Sequence, residues 1–306
     1  MFRSASALGM ACALGATLGF TLNDTAVKFL SGSYALHQVV LTRALIALAV
    51  TSLVLMPFLG GWAQMRTRRL GSHVMRGGLL VMANMTFFLS LSVMPLADAT
   101  AIFFISPLLV AVFSVVFLGE YVGPRRWGAI GVGLLGVVIM IRPGTDAFAP
   151  VALLPVLAAA GYAGMHTMTR RMGVTESAVT MAFYIQLTFV AASAAIGLGL
   201  GHGRFDPGDG GALSFLTRAW AWPDPGDWGV FLLAGLGSSI GGLLIAQAYR
   251  LCEAALVAPL EYAAMPLAIL MGVMVFGDWP DALAWVGMAL IIGAGLYMVW
   301  RESRAG

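Results

Sequence analysis

Charge is scarce in this chain. Asp, Glu, Lys and Arg together make up 10% of the residues, against 60% hydrophobic ones, whereas soluble domains carry roughly 25% charged residues. The shortage excludes an ordinary water-soluble globule, which would have too little polar surface to cover itself. Lipid is the better solvent for such a chain. Cysteine is nearly absent: Cys12 and Cys252 both lie in apolar surroundings, so neither a disulfide framework nor a metal-ligand spacing is present. No P-loop occurs, which leaves ATP-driven work by this chain alone unsupported. The basic balance is modest and dispersed and implies no nucleic-acid partner. No cofactor and no metal are expected. One stretch, Gly237–Gly241 (GSSIG), matches a nucleophile-elbow pattern formally. It lacks the strand–turn–helix context, and the four histidines, His37, His73, His166 and His202, have no intramembrane-protease spacing. The same residues read as a G-x-x-x-G packing face, as do Gly15–Gly19.

What the chain does have is long apolar runs. Ten of them approach the ~20 residues that cross a bilayer as helix, and the sequence predicts spans at 6–30, 36–59, 74–93, 97–118, 125–142, 149–170, 177–201, 228–250, 254–276 and 281–300. Turn formers separate them, among them Ser31–Ser33, Gly60–Gly61 and the Arg142–Asp146 stretch. The first run follows Arg3 as a signal peptide would, but it continues to Leu30 and another span follows, which favours a retained helix. The segment His202–Asp227 is rich in Gly, Pro and Asp. It is expected outside the membrane, with Trp220 and Trp222 at the interface.

The runs repeat. An offset of 158 carries Ala97–Met140 onto Ala255–Met298, and Ala97, Leu109, Val115, Gly119, Trp127 and Met140 meet identical residues. Glu120 meets Asp278. An offset of 142 carries Gly19 onto Gly161, Phe20 onto Tyr162, Thr25 onto Thr167 and Lys28 onto Arg170. The reading is an all-α integral membrane protein of ten transmembrane helices in two five-helix repeats, residues 1–145 and 146–306. Five is odd, so the second repeat begins on the opposite side and the two are inverted, a recurring transporter architecture. Inversion also explains a loss. Arg125 and Arg126, inside the Gly–acid–Trp frame of the first repeat, become Leu283 and Ala284 in the second, which faces the other way. With the N-terminus inside, twelve arginines fall on inner segments and three (Arg142, Arg204 and Arg218) on outer ones. That bias places both termini in the cytoplasm of a bacterial inner membrane.

Polar groups inside spans are costly and mark candidate sites. Asp24 and Lys28 are four apart on one helix, acid first, the favourable order for a pair, with Asn23 beside them. The bland alternative has Lys28 snorkelling to the surface while Asp24 neutralises it. Arg43, two turns into the second span, either binds a carboxylate or ties helices together through backbone carbonyls. Glu261 lies between Pro259 and Pro266, next to Tyr262, where prolines suit a cavity wall. It is read as a receptor for an ammonium group or a coupling proton, or as the partner of Arg43 or Arg250. His166 aligns with Asp24 and Tyr162 with Phe20, so these four are expected to face one another across the repeat axis. His166 also reads as an ordinary helix-end histidine near Arg170. Asn84 with Phe87 and Phe88, and Gln247 with Tyr249, complete the predicted lining. Pro107, Pro259 and Pro266 are the candidate kinks and gates.

These residues resemble the drug/metabolite transporter superfamily, EamA branch. The resemblance rests on Gly19 and Lys28, on Arg43, and on the Ala97–Gly136 block with Pro107, Gly119, Glu120 and Gly128. The second half carries a weaker copy, with Pro266 one place out of register and Asp278 in place of Glu120. The resemblance implies ten helices in two inverted repeats, four from each half lining a midplane site while the fifth and tenth stay peripheral. It implies a secondary transporter rather than an enzyme. The nearest subgroup is the aromatic amino-acid exporters, so the expected cargo is small metabolites, amino acids including aromatic ones, exported by alternating access. Multidrug, sugar and nucleobase transport are alternatives within the same fold; an intramembrane hydrolase or a scaffold would need, respectively, a close Ser–His set or a dry centre.

Overall fold

Runs of apolar residues free of Pro and Gly–Gly breaks have no way to satisfy their backbone in lipid except as helix, and the chain obeys that constraint. The computed structural model describes residues 2–58, 61–119, 123–143, 149–172, 178–251, 257 and 260–303. Every regular element among them is helical. Helix α1 is Phe2–Leu30; α2 is Leu36–Ala49 and continues through a π-helical segment, Val50–Leu55, to Met56–Phe58. Then come α3 (Leu70–Leu91), α4 (Leu96–Phe103), α5 (Ser106–Leu118) and α6 (Pro124–Ile141). A 3-10 turn, Pro150–Leu153, leads into α7 (Leu154–Met172), followed by α8 (Ala178–Leu200) and a short α9 (Ala212–Thr217). The chain finishes with α10 (Trp228–Leu251), α11 (Ala264–Met271, extended by a second π segment, Gly272–Phe276) and α12 (Ala282–Ser303). Six stretches are long and apolar enough to cross a bilayer: Leu36–Phe58, Leu70–Leu91, Leu96–Phe117, Pro150–Thr169, Val179–Leu200 and Trp228–Ile245. Three shorter apolar helices, Trp127–Ile141, Ala264–Phe276 and Ala282–Met298, accompany them. The protein is a multi-pass membrane protein.

Two expected spans are interrupted. The fourth run is broken at Phe104 and Ile105, and Pro107 is the second residue of α5. The chain breaks again at Tyr262 and Ala263, with Pro266 the third residue of α11. Neither proline bends a continuous helix, as a kink would require. Each sits in a first turn, where a missing N–H costs nothing. Pro259 and Glu120 lie outside the described residues. Gly119 and Gly277 end the two interrupted spans in the left-handed conformation, φ 69° and 72°, which only glycine adopts readily.

Glycine also sets how closely helices approach. A Cβ on Gly237 of α10 would stand 2.6 Å from the Gly19 carbonyl oxygen of α1, and one on Gly19 would stand 3.1 Å from the Gly237 oxygen. The two backbones touch. The Gly237–Gly241 stretch thus serves packing, while His37 bonds the Leu216 carbonyl, His73 stacks on Tyr184 and His166 packs against Tyr162. Gly161 of α7 similarly faces the Leu79 carbonyl of α3, at 3.1 Å. One core gathers Phe88, Leu91, Phe189 and Phe231 between α3, α8 and α10; a second gathers Ile105, Leu108, Tyr262 and Ile291 around α5 and α12.

One end of the bundle is tied by polar contacts. The segment 202–227 folds back on the α1–α2 turn. Tyr34 donates to Asp227 at 2.6 Å, Arg218 donates to the Ser31 carbonyl at 3.1 Å, and the Ala221 amide donates to Gln38 at 3.2 Å. Trp222 is 87% exposed, whereas Trp220 stacks on His37 and covers Gly197 and Gly201. At the same end Lys28, the chain's single lysine, pairs with Asp278 at 3.2 Å, donates to the Met94 carbonyl and lies 5.0 Å from the Phe276 ring centre. Asp24, the acid four residues earlier, is not its partner. Nearby, Arg142 grips both oxygens of Asp281, one at 2.6 Å, and Asp281 also accepts the Ala284 amide as it starts α12. The Arg142 contact and that amide hold the Asp281 carboxyl below the usual aspartate range. Its stabilisation is therefore full at neutral pH and disappears as pH falls through that lowered value. It stays small, because Asp281 is exposed.

Candidate functional site

Four helices converge on Arg43. The residue is 3% exposed on α2, and its length lets the guanidinium reach across the bundle. It donates to the amide oxygen of Asn23 on α1 at 3.3 Å and to that of Asn84 on α3 at 3.5 Å. The guanidinium carbon is 5.1 Å from the Phe88 ring centre (α3) and 5.0 Å from that of Phe189 (α8), a cation between two aromatic faces. Asn23 turns its amide nitrogen to Asp24, 2.8 Å away. The asparagine thus relays between an acid and a base that do not touch. Nε of Arg43 has no partner, and among the described residues no carboxylate lies within ion-pair distance of it. Arg43 therefore ties helices through side-chain amides and not, as one sequence expectation had it, through backbone carbonyls. It is not the ion-pair partner of Glu261.

A second group lies on α7 and at the two helix breaks. Tyr162 packs edge-on against Phe103 at 5.3 Å and against His166, one turn along, at 4.4 Å. Phe103 meets Phe87 at 5.2 Å, so aromatic contacts run from α3 through the α4 break to α7. Glu261 lies part-buried just before the second break, next in sequence to Tyr262. Polar atoms of both signs and five aromatic rings thus occur within one apolar interior. Such a surface can orient a small charged molecule while packing an aromatic part of it.

Not every predicted lining residue joins these groups. Phe20 is 37% exposed and its ring covers Gly241 of α10; it forms no ring pair with Tyr162. Equivalent positions do not face each other here because Tyr162 is taken by Phe103. Tyr262 is 6% exposed, stacks on Phe104 at 5.1 Å and pushes its hydroxyl against Gly295 of α12, away from Arg43. Gln247 lies too far along α10. Gly237 marks the depth of Asn23, so ten residues of helix put Gln247 about 15 Å away, at the level of the Cys12–Ala248 cluster.

Other residues entered unannounced. Phe189 carries no signal that separates it from dozens of apolar neighbours. Arg76 was assigned to an inner segment, but α3 starts at Leu70, four residues earlier than the apolar run, and buries Arg76 to 4% exposure. It donates to the Met181 carbonyl at 3.0 Å and to Thr169 at 3.4 Å, joining α3 to α7 and α8. His73, buried beside it, stacks on Tyr184 at 4.7 Å.

Comparison with known proteins gives this interior a context. Residues 7–142 match the EamA-like transporter family. A riboflavin transporter of Rhizobium johnstonii is 30% identical over 251 residues, covering 81% of this chain and 77% of that one. An S-adenosylmethionine uptake transporter of Rickettsia felis is 26% identical across 92% of this chain and 89% of its own. The pseudopaline exporter CntI of Pseudomonas aeruginosa is 23% identical, with 94% of each chain covered. One solved crystal structure shares the fold, with a TM-score of 0.64 and 22% identity over 99% of both chains. The relatives named are transporters and none is named as an enzyme. With a multi-pass helical bundle, a polar interior and a 30%-identical relative matched over most of its length, the chain belongs to the EamA-like transporter family.

Proposed function

We propose that this protein is a secondary transporter for small metabolites that join a charged or zwitterionic group to an aromatic one, bound between two inverted five-helix halves, residues 1–145 and 146–306. The observation that carries the reading is Arg43: a buried guanidinium held by two amides and two rings, with no carboxylate within ion-pair distance among the described residues. A buried cation so arranged favours an anionic group on a ligand, and a ligand carboxylate is its natural complement. Asp24 and Glu261 suit an ammonium, and Phe87, Phe103 and Tyr162 suit a ring. Aromatic amino acids are the smallest molecules of this description. S-adenosylmethionine, the cargo in one relative's name, is a larger one, with an amino-acid end and a purine. Riboflavin transport is a second reading, favoured by the relatives that carry that name and by the run of aromatic contacts.

The ten-span, inverted arrangement draws support from paired details. The 158 offset carries the break at Phe104–Ile105 onto the break at Tyr262–Ala263 and the Gly119 cap onto the Gly277 cap. Phe104 and Tyr262, equivalent under that offset, stack on each other as residues at a pseudo-twofold axis would. The contact of Gly19 with the Gly237 carbonyl has its counterpart in Gly161 with the Leu79 carbonyl. Helix α1 packs on α10 as α7 packs on α3, while α2 with α8 and α6 with α12 are self-paired. With both termini cytoplasmic, a C-terminal reporter active only in the periplasm stays silent; activity would refute that orientation.

Purified protein in liposomes, loaded and challenged with aromatic amino acids, S-adenosylmethionine or riboflavin, should exchange at least one of these. Exchange of sugars or lipophilic cations alone would reject the substrate class. A Glu261→Gln variant should fold normally yet transport several-fold more slowly, with a flatter dependence on pH. A pH profile and rate unchanged from the parent would remove Glu261 from the mechanism.

A further inference from the structure

One large concavity lies away from Arg43. A groove of about 740 Å³ runs between α3, α5 and α7. Its walls are Met75, Leu79 and Met82 on one side and Phe113 and Phe117 on the other, and its floor is Ala160, Gly161 and Gly164. Met75 and Phe117 are 61% and 60% exposed, so the groove opens sideways, toward lipid. Small residues on α7 make it deep: a Cβ on Gly164 would meet only ordinary contacts, with Leu79 at 3.6 Å and Phe113 at 3.9 Å.

One end is polar. Arg69, Ser72 and Thr167 line the mouth, and the exposed residues leading into α3 include Arg66 and Arg68 as well. From Ser72 to Met82 the groove follows ten residues of α3, about 15 Å. That is half of a ~30 Å hydrocarbon core, the depth of one leaflet. A channel one leaflet deep, apolar along its length and basic at its mouth has the shape and charge of a phospholipid.

We propose that this groove is a binding site for an anionic phospholipid, one acyl chain lying along Leu79, Phe113 and Gly164 and the phosphodiester held at Arg69. The lipid belongs to the inner leaflet, an assignment that rests on the orientation proposed above; binding itself does not depend on it. Zwitterionic lipids fit the same channel but gain less at the mouth, so selectivity comes from the arginines and affinity from the channel.

Native mass spectrometry of the purified protein, titrated with phosphatidylglycerol or phosphatidylethanolamine of equal chain length, tests this. One bound phosphatidylglycerol should be retained in preference to phosphatidylethanolamine. Arg69→Gln should weaken phosphatidylglycerol about fivefold, the worth of one basic residue near an anionic surface, and weaken phosphatidylethanolamine, whose ammonium offsets its phosphodiester, by less. Gly164→Leu fills the channel and should reduce both lipids; Met75→Trp is the equivalent if the leucine variant misfolds. Arg125→Gln, a basic residue on α6 outside the groove, should alter nothing. Equal retention of the two lipids by the parent, or unchanged phosphatidylglycerol binding in both the Arg69 and channel-filling variants, would overturn the proposal. So would a second copy of the chain occupying the groove, seen as a lipid-free dimer that Gly164→Leu dissociates.

Discussion

Replacing Arg43 by alanine should reduce substrate exchange about 100-fold or more, into the background of protein-free liposomes. The side chain makes two charge-assisted contacts, each worth about 1.5–3 kcal/mol, and lies between two rings, each worth about 0.5–2 kcal/mol. Some of that energy holds α1, α2, α3 and α8 together, so the alanine variant should also melt earlier. Two further variants separate binding from stability. Arg43→Lys keeps the charge but cannot fork to both amides or lie flat between Phe88 and Phe189; it should recover folding more fully than transport. Arg43→Gln keeps hydrogen bonding to the amides without the charge. A folded Arg43→Gln protein with parental exchange would reduce Arg43 to a tie between helices and remove the basis for an anionic substrate group.

The second large effect is expected at Lys28 and Asp278. Their ion pair, with side chains 13% and 31% exposed, joins α1 to the turn before α12 and closes the end of the bundle that the 202–227 segment also covers. Asp278→Lys would set two cations about where the pair now sits, a repulsion of the order of a few kcal/mol at an effective dielectric of ~20. Transport should fall roughly 10- to 100-fold and the melting temperature with it. The double exchange, Lys28→Asp with Asp278→Lys, should restore at least half of the activity. Additive losses in the double variant would mean that the two residues act independently and that the pair does not close this end.

How far all this could be read from the chain varies with the physical reason. Helix positions followed from apolar runs because lipid leaves the backbone no alternative, and the ends at Gly119 and Gly277 followed from a conformation that side-chain-bearing residues avoid. Asn23, Asp24, Arg43 and Asn84 stood out in the sequence because polar groups are rare in such spans, and the structure brings them together. Their partners were not. Spacing offered Asp24 to Lys28, yet Lys28 found Asp278, 250 residues away in sequence, because α1 ends where the α11–α12 turn passes. Gln247 was expected in the same lining as Asn84, but the close approach of α1 and α10 fixes a register that leaves it about 15 Å from Asn23. Phe189 was invisible, since a cation–ring contact depends on where an ordinary phenylalanine lands. The burial of Arg76 was hidden because the apolar run begins later than the helix does.

The glycine contacts bear on how the molecule can come apart. Gly19 touches Gly237 and Gly161 touches Leu79, backbone to backbone, and each contact joins one half of the sequence to the other. Like two hands with fingers interlaced, neither half keeps its own helices to itself. A cut near residue 145 would therefore yield fragments that each present a bare furrow to lipid, stable only once they meet. Any rigid unit built on these contacts is composite, α1 with α10 and α3 with α7. A seam between two such units would not coincide with the proposed boundary near residue 145.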